Sequence, residues 1–484
     1  MTNQGGEDET CDDSRRFTVV RPDPRPGIVV ILAAGRPAAL PFEVGAAGLE
    51  IGRGTPAGAL ENDERTSRRH VRICRQGPGW TVEDLGSRNG TFVDGQPVSS
   101  GPALFTRPVL VRIGRSLIWA VDDVRPFVGQ APASPEAEGP ILGGVSRRAF
   151  GEIALASRAS DTILVHGESG AGKELGARAF HEARHGADSN APFVAVNCAA
   201  IPEGLAERLL FGARKGAFSG ATSDADGYVQ AADKGTLFLD EIAELDPLVQ
   251  AKLLRVLETR EVLPLGASRT KKVEISVCAA SHRRLRDEVA AGRFREDLYF
   301  RIGRPEVAIP PLRERIDEIP WFIARGLRAV DLQLTASAGF VETCALRPWP
   351  GNVRELLREV TRAGHRALEA GSDAVEREHL LPEAGAPVMT GAAAAPGSLL
   401  SPSSTPSSTP SSTPPPANGP RREGIARWSD DEVRRVLGEN AGNVRATARA
   451  LDVHRNQLRR WLERHGQGVD KVDDLETEPP DADD

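Results

Sequence analysis

The stretch that most constrains this chain is ILVHGESGAGKE, where an apolar run ending at Val165 is followed by Gly167 to Lys173 in GxxxxGK spacing and then by helix-forming residues. A strand that passes to a helix through such a loop turns backbone N–H groups inward around a polyphosphate. The helix N-terminus adds positive potential and Lys173 reaches the outer phosphates. Gly167, Glu168, Ser169, Gly170, Ala171, Gly172, Lys173 and Glu174 are therefore the candidate phosphate cradle. Glu174 stands where a magnesium-binding Ser or Thr is usual, and Gly176 inside the helix costs about 1 kcal/mol relative to Ala. Sixty-seven residues after Lys173, GTLFLDEI carries an apolar strand into Asp240 and Glu241. One carboxylate there can hold Mg2+, directly or through water, and its neighbour can polarise an attacking water. Two acids at a strand end also serve as a helix N-cap; joined to the glycine-rich loop they point to nucleoside triphosphate hydrolysis.

A length of 484 residues implies about three domains. Residues 1–16 are polar and acidic and are expected to be disordered. Residues 17–125 alternate short apolar runs with turn residues, the pattern of a β-sandwich. A Pro/Ala/Gly-rich linker is expected at 126–139, then strands alternating with helix-length stretches over 140–310, a doubly wound α/β domain. Apolar spacing turns helical at 311–385. Residues 386–424 contain SSTPSSTPSSTPPP, a tether that cannot bury a core, 425–466 return to short amphipathic helices, and 467–484 form an acidic tail.

The balance of 61 basic against 68 acidic side chains, net charge −7, does not by itself point to a nucleic-acid binder, so any DNA contact must come from a local patch. Between Arg421 and Gly466 there are 11 Arg against 7 Asp plus Glu, a local net of +4. Five scattered cysteines argue against a zinc site and a disulfide framework. With no basic-then-apolar leader and no apolar run of about 18 residues, a cytoplasmic protein without membrane contact is expected.

Over about 140–385 the chain resembles the AAA+ ATPase domain of sigma-54-dependent transcriptional activators, the bacterial enhancer-binding proteins. GESGAGKE is similar to their phosphate loop, in which Glu follows the lysine, and GYVQAADKGTLFLDEI is similar to their second signature. FGARKGAFSGA resembles their sigma-contacting loop, which implies that Gly216, Ala217, Phe218, Ser219, Gly220 and Ala221 touch sigma-54, with Ser219 in place of Thr. WPGNVREL resembles the third signature and makes Arg354 the sensor arginine of the lid. The resemblance further implies that Asn197 links Glu241 to nucleotide state. It also implies that Arg295 and Arg301 reach a neighbouring subunit's ATP, so that hydrolysis needs a homo-oligomeric ring. Ser281 and His282 stand where the family has Thr-Asn.

GRG at 52–54, SRRH at 67–70 and SRNGTFVDG from Ser87 resemble a forkhead-associated (FHA) domain, a reader of phosphothreonine. Arg53, Ser67 and Arg68 would bind the phosphate and Asn89 the peptide backbone, while His70 and Gly90 brace loops. The segment WSDDEVRRVLGENAGNVRATARALDVHRNQLRRWLERHG resembles a Fis-type helix-turn-helix, with His454, Arg455, Asn456 and Arg459 facing DNA; a helical dimerisation hairpin is the plainer alternative. Together these imply a multidomain activator, β-sandwich plus α/β P-loop domain with helical lid plus helix-turn-helix. It would bind enhancer DNA, form a ring using ATP and Mg2+, and remodel sigma-54 RNA polymerase under control of a phosphothreonine-bearing partner linked to a Ser/Thr kinase. The alternative is a phosphopeptide-responsive DNA-binding regulator that does not engage sigma-54.

Overall fold

The computed structural model describes residues 23–56, 58–98, 101–129, 139–187, 189–202, 204–217, 222–387 and 430–440, with Thr447, Ala450, Leu451, Leu458 and Leu462. It divides into two compact units, 1–392 and 393–484.

The first unit begins with ten strands: β1 (Gly27–Ala33), β2 (Arg36–Glu43), β3 (Leu49–Ile51), β4 (Val71–Gln76), β5 (Gly79–Asp84), β6 (Thr91–Val93), β7 (Gln96–Pro97), β8 (Ala103–Phe105), β9 (Leu110–Ile113) and β10 (Ser116–Val121). They form two sheets, β2-β1-β10-β9-β6-β7 and β3-β4-β5-β8, stacked as a sandwich. Period-two alternation sends Ile28, Val30, Val111 and Ile118 into the core between the sheets, with Trp80, Ile73 and Val82 from the other side.

An α/β layer follows. Its elements are α1 (Gly144–Ala159), β11 (Thr162–His166), α2 (Lys173–His185), β12 (Phe193–Asn197), α3 (Ala206–Phe211), α4 (Tyr228–Ala231), β13 (Thr236–Asp240), α5 (Pro247–Thr259), the short pair β14 (Glu261–Val262) and β15 (Lys271–Lys272), β16 (Ser276–Ser281), α6 (Leu285–Ala290), α7 (Glu296–Ile302) and β17 (Glu306–Ala308). The main sheet is parallel in the order β12-β13-β16-β11-β17. β11, β13 and β16 are almost wholly buried, as strands covered by helices on both faces must be. Their carboxyl ends gather the glycine-rich loop after β11 and the two acids after β13, the usual ligand edge of such a sheet. The lid comprises α8 (Ile319–Arg328), β18 (Thr335–Ala336), α9 (Ala338–Ala345), α10 (Asn352–Glu369) and β19 (Ala374–Val375).

β1 reads GIVVILA, and its first six residues are all buried. A sandwich strand with one wet face would alternate. This one does not, because the sheet's outer face is covered by the lid: Val29, Ile31, Leu117 and Val124 share one core with Trp321, Phe322, Phe340 and Trp349. Phe127 belongs to that core too, only 4% exposed, and Ile141 is 3% exposed. Phe127 thus anchors the start of the segment expected as a linker at 126–139, and Ile141 just beyond it is buried; residues 130–138 lie outside the described residues.

A polar contact centred on Glu342 crosses this interface. Glu342 of α9 is fully buried and accepts from Arg112 Nε at 2.7 Å and from the Gly95 backbone N–H at 3.2 Å. Arg112 also lies over the Phe92 ring, 3.9 Å from its centroid.

In the second unit, α11 (Asp430–Glu439) brings Val433 onto Leu451, Leu458 and Leu462, a small apolar cluster. His454, Arg455, Asn456 and Arg459 lie outside the described residues.

Replacing Glu342 by Ala would leave the half-buried Arg112 guanidinium and the Gly95 N–H without their acceptor. We expect a loss of about 3 kcal/mol in equilibrium denaturant unfolding, with Glu342→Gln losing less. A change below about 0.5 kcal/mol, the size expected of an exposed pair, would show that sandwich and lid do not depend on each other.

Candidate functional site

The cleft at the carboxyl edge of the parallel sheet has a volume of about 560 Å³ and is lined by Ser169–Leu175, Asp240, Glu241, Arg315 and Arg354. The loop after β11 closes on itself through left-handed glycines: Gly170 has φ +73°, and a Cβ there would meet the Gly351 carbonyl at 2.3 Å. Lys173, the first residue of α2, is only 7% exposed. Its Nζ donates to the Gly167 carbonyl and to Glu241 Oε1, each at 3.2 Å.

Glu241 adopts φ +52°, a left-handed conformation that a glutamate holds only when its surroundings impose it. Both carboxylate oxygens are engaged, Oε1 by Lys173 and Oε2 by the His282 backbone N–H at 3.2 Å and by His282 Nδ1 at 2.5 Å. A carboxylate only accepts, so Nδ1 carries the proton. Burial pushes the Glu241 carboxyl up, but the His282 hydrogen bond and the Lys173 charge outweigh it and hold it below the usual range. Burial pushes Asp240 up, opposed by the Lys173 charge. The Asp240 Oδ1 accepts the Glu241 N–H at 3.1 Å.

Asn197 lies beside Asp240 in the β12–β13 register. Its Oδ1 accepts the Ala199 N–H at 3.0 Å, and the Glu241 carboxylate is instead held by His282. In this structure, among the described residues, the asparagine caps its own turn and makes no direct hydrogen bond to Glu241. Ser281 is likewise turned away, its hydroxyl exchanging hydrogen bonds with the Arg283 backbone.

The lid meets the loop through Arg354 and through side chains that the motif reading did not single out. Asn352, fully buried at φ +52°, donates to Glu168 Oε2 and the Ser169 carbonyl, both at 3.0 Å, and accepts the Leu312 N–H at 2.8 Å. Arg313 forks onto Glu168 at 2.9 and 2.8 Å, and Arg354 Nη1 reaches Ser169 Oγ at 3.3 Å. Arg315, only 3% exposed, donates to the Ala171 carbonyl at 2.7 Å and pairs with Glu318. Asp317 and Glu318 then cap α1 by accepting the Gly144 and Gly143 N–H groups. Burial, with Glu318 alongside, pushes the Asp317 carboxyl up to about 7. Asn352 was legible in WPGNVREL only as a neighbour of Arg354; a buried Asn ahead of a helix was its available signal.

Arg295 and Arg301 do not line this cleft. Arg295 caps the start of α7 and forks onto Asp297, while Arg301 donates to the Leu257 carbonyl. Of the loop at 216–221, Gly216 and Ala217 are described. They sit above an Ala213–Ala225 bridge and the Arg214–Asp224 pair, whereas Phe218, Ser219, Gly220 and Ala221 lie outside the described residues.

On the sandwich, three segments converge. The Arg53 N–H donates to the Ser67 carbonyl at 3.0 Å, which brings the two segments together. A Cβ on Gly52 would meet the Arg68 carbonyl at 2.1 Å, so only glycine allows that approach. Ser67 Oγ accepts the Arg88 N–H at 3.2 Å and Asn89 Nδ2 donates to the Arg65 carbonyl at 2.6 Å. Buried His70 accepts the Ser67 N–H at Nδ1, leaving Nε2–H to donate to the Gly90 carbonyl, and burial lowers its pKa. Arg68 is exposed.

A P-loop α/β layer with a helical lid, and a sandwich with three converging loops, define a P-loop ATPase domain of the AAA+ class attached to an FHA-type reader. The family profile of the sigma-54 interaction domain matches residues 144–308 and that of the FHA domain residues 49–116. These segments belong to those two families. The transcriptional regulatory protein ZraR of Salmonella typhimurium is 39% identical over 286 residues, 58% of this chain and 64% of that protein. The hydrogenase transcriptional regulatory protein HoxA of Bradyrhizobium diazoefficiens is 48% identical over 220 residues, 43% of this chain and 44% of that one. The crystal structure of NtrX from Brucella abortus is similar at 26% identity and a TM-score of 0.46, covering 66% of this chain and 68% of that one. The chain thus spans less than two thirds of the length of these curated relatives. Among the described residues no helix is long and apolar enough to cross a membrane.

Because His282 holds the Glu241 carboxylate down, His282→Ala should raise its pKa. The acid limb of the pH profile for nucleoside triphosphate hydrolysis should then move to higher pH, by roughly one unit, while His282→Asn, which keeps a donor, should move it less. An unshifted limb in the Ala variant would remove His282 from the charge balance of the site.

Proposed function

We propose that this chain is a sigma-54-dependent transcriptional activator of the cytoplasm, in which ATP hydrolysis by a ring of subunits remodels sigma-54 RNA polymerase and the FHA module supplies a phosphothreonine-dependent input. The observation that carries the reading is the pairing of Lys173 with Glu241 at the mouth of the glycine-rich loop. In this arrangement the general base is latched. Its two oxygens are occupied by Lys173 and His282, and a triphosphate would compete for Lys173 and free one of them.

Gly167 to Glu174 would cradle the phosphates, and Arg354, beside Ser169, would report nucleotide to the lid. Mg2+ would arrive with the phosphates beside Asp240. Its burial-raised carboxyl favours a nearby cation. Bound there, the ion would neutralise phosphate charge. Arg295 and Arg301, away from this chain's own cleft, are assigned to the neighbouring subunit's nucleotide, and Asn197 to relaying its state. Gly216 to Ala221 would contact sigma-54. His454, Arg455, Asn456 and Arg459 would face enhancer DNA from a Fis-type helix-turn-helix at 425–466, tethered by 386–424. The phosphothreonine would bind Arg53, Ser67, Arg68 and Asn89, with its bearer linked to a Ser/Thr kinase.

Lys173→Ala should abolish ATP binding, and Glu241→Gln should bind ATP but not turn it over. Specific ATPase activity should rise with protein concentration, because Arg295 acts across a subunit boundary. Phe218→Ala should keep most hydrolysis yet fail to open a sigma-54 promoter in a purified transcription assay. Constant specific activity across the monomer-to-oligomer range would remove the trans arginine. Equal loss of hydrolysis and promoter opening in Phe218→Ala would remove the loop's assignment.

A further inference from the structure

Between sandwich and lid lies a groove of about 870 Å³, larger than the nucleotide cleft and separate from it. Its sandwich wall is the β1–β2 turn at 33–36 with Ala59, Leu60, Asn62 and Arg65 and with Arg112, Gly114 and Arg115; its lid wall is β18, the start of α9 and β19. Five arginines line it, Arg36, Arg65, Arg112, Arg115 and Arg377, against a single acid, Glu376. Arg112 and Arg377 are turned toward Glu342, at 2.7 and 3.9 Å. Arg36, Arg65 and Arg115 are exposed and make no ion pair among the described residues. Three unpaired guanidinium groups facing one concavity repel one another and gain from an anion that can bridge them.

The groove begins where the FHA loops end. The Arg65 carbonyl that accepts from Asn89 Nδ2 at 2.6 Å belongs to the residue whose side chain lines the groove. A peptide anchored at Asn89 that continues past Arg65 therefore enters it. We propose that the groove is a second anion site, which takes the acidic flank of the phosphothreonine peptide and clamps it against the lid. The proposal deepens the FHA assignment above and rests on it. Because eight of the nineteen lining residues belong to the lid, the ligand would touch both bodies at once. An acidic flank thereby binds the arrangement in which they are packed together and favours it.

Titration of the full chain with three fluorescent peptides tests this at low and at physiological salt. One carries phosphothreonine with neutral flanks, one phosphothreonine with aspartates on both sides, and one the aspartates with Ala in place of phosphothreonine. We expect the acidic flanks to tighten binding about tenfold, less at higher salt. Arg36→Ala combined with Arg115→Ala should erase that gain and leave the neutral-flank peptide unchanged, whereas Arg53→Ala should weaken both phosphothreonine peptides. Equal affinity for the first two peptides, or a gain that survives the double substitution, overturns the groove while leaving the FHA reading intact. If neither phosphothreonine peptide binds more tightly than the third, the FHA reading fails instead. The third peptide at low salt then decides the groove: binding abolished by the double substitution supports it, and absence of binding overturns it.

Discussion

The outer face of the β2-β1-β10-β9-β6-β7 sheet is apolar, and the rest of the first unit depends on what buries it. Val29, Ile31, Leu117 and Val124 would be an exposed patch on an isolated sandwich; here they pack with Trp321, Phe322 and Phe340 in a single core. Burial of this kind is non-directional, so it needs a polar contact to fix register, and Glu342 supplies it by accepting from Arg112 and Gly95 at once. The FHA-type sandwich and the lid of the P-loop cleft are in this way two faces of one packed body.

The same lid reaches the phosphate loop through few but buried contacts. Asn352 opens α10, whose apolar side packs against α8, and its amide holds Glu168 and Ser169 while Arg354 of the same helix reaches the Ser169 hydroxyl. Movement of α10 therefore cannot leave the loop undisturbed. Contiguous packing from β1 through α8 to α10 gives a physical route from sandwich to cleft; it becomes coupling only where ligands at the two ends favour the same of two arrangements. At the cleft the route ends on a carboxylate held by its neighbours. Glu241 is strained in φ, paired with Lys173 and bonded to His282.

Much of this was legible in the sequence because it rests on local rules. GESGAGKE declares a strand, a left-handed glycine turn and a helix N-terminus within a dozen residues, and GTLFLDEI a buried strand with acids at its end. The FHA loops were legible for the same reason, since Gly52 and Gly90 fill backbone positions that few residues can. Three features were not. GIVVILA has no alternation, which marks a strand buried on both sides without naming what covers it. His282 resembled a departure from a sensor pair; that it grips Glu241 depends on the β13–β16 pairing, some forty residues away in sequence. Phe127 sat in a stretch with linker composition, and composition is silent about one anchoring aromatic.

Native-state hydrogen exchange on the full chain tests most directly whether sandwich and lid are one body. Amides of β1, at Val29 and Ile31, and amides of α9, at Val341 and Cys344, should open in the same unfolding event, with matching opening free energies and matching dependence on denaturant. Substitution of Glu342 should lower both sets together. If α9 opens at low denaturant while β1 keeps its full protection, the shared core is not a cooperative unit, and the sandwich is a separate domain resting on the lid.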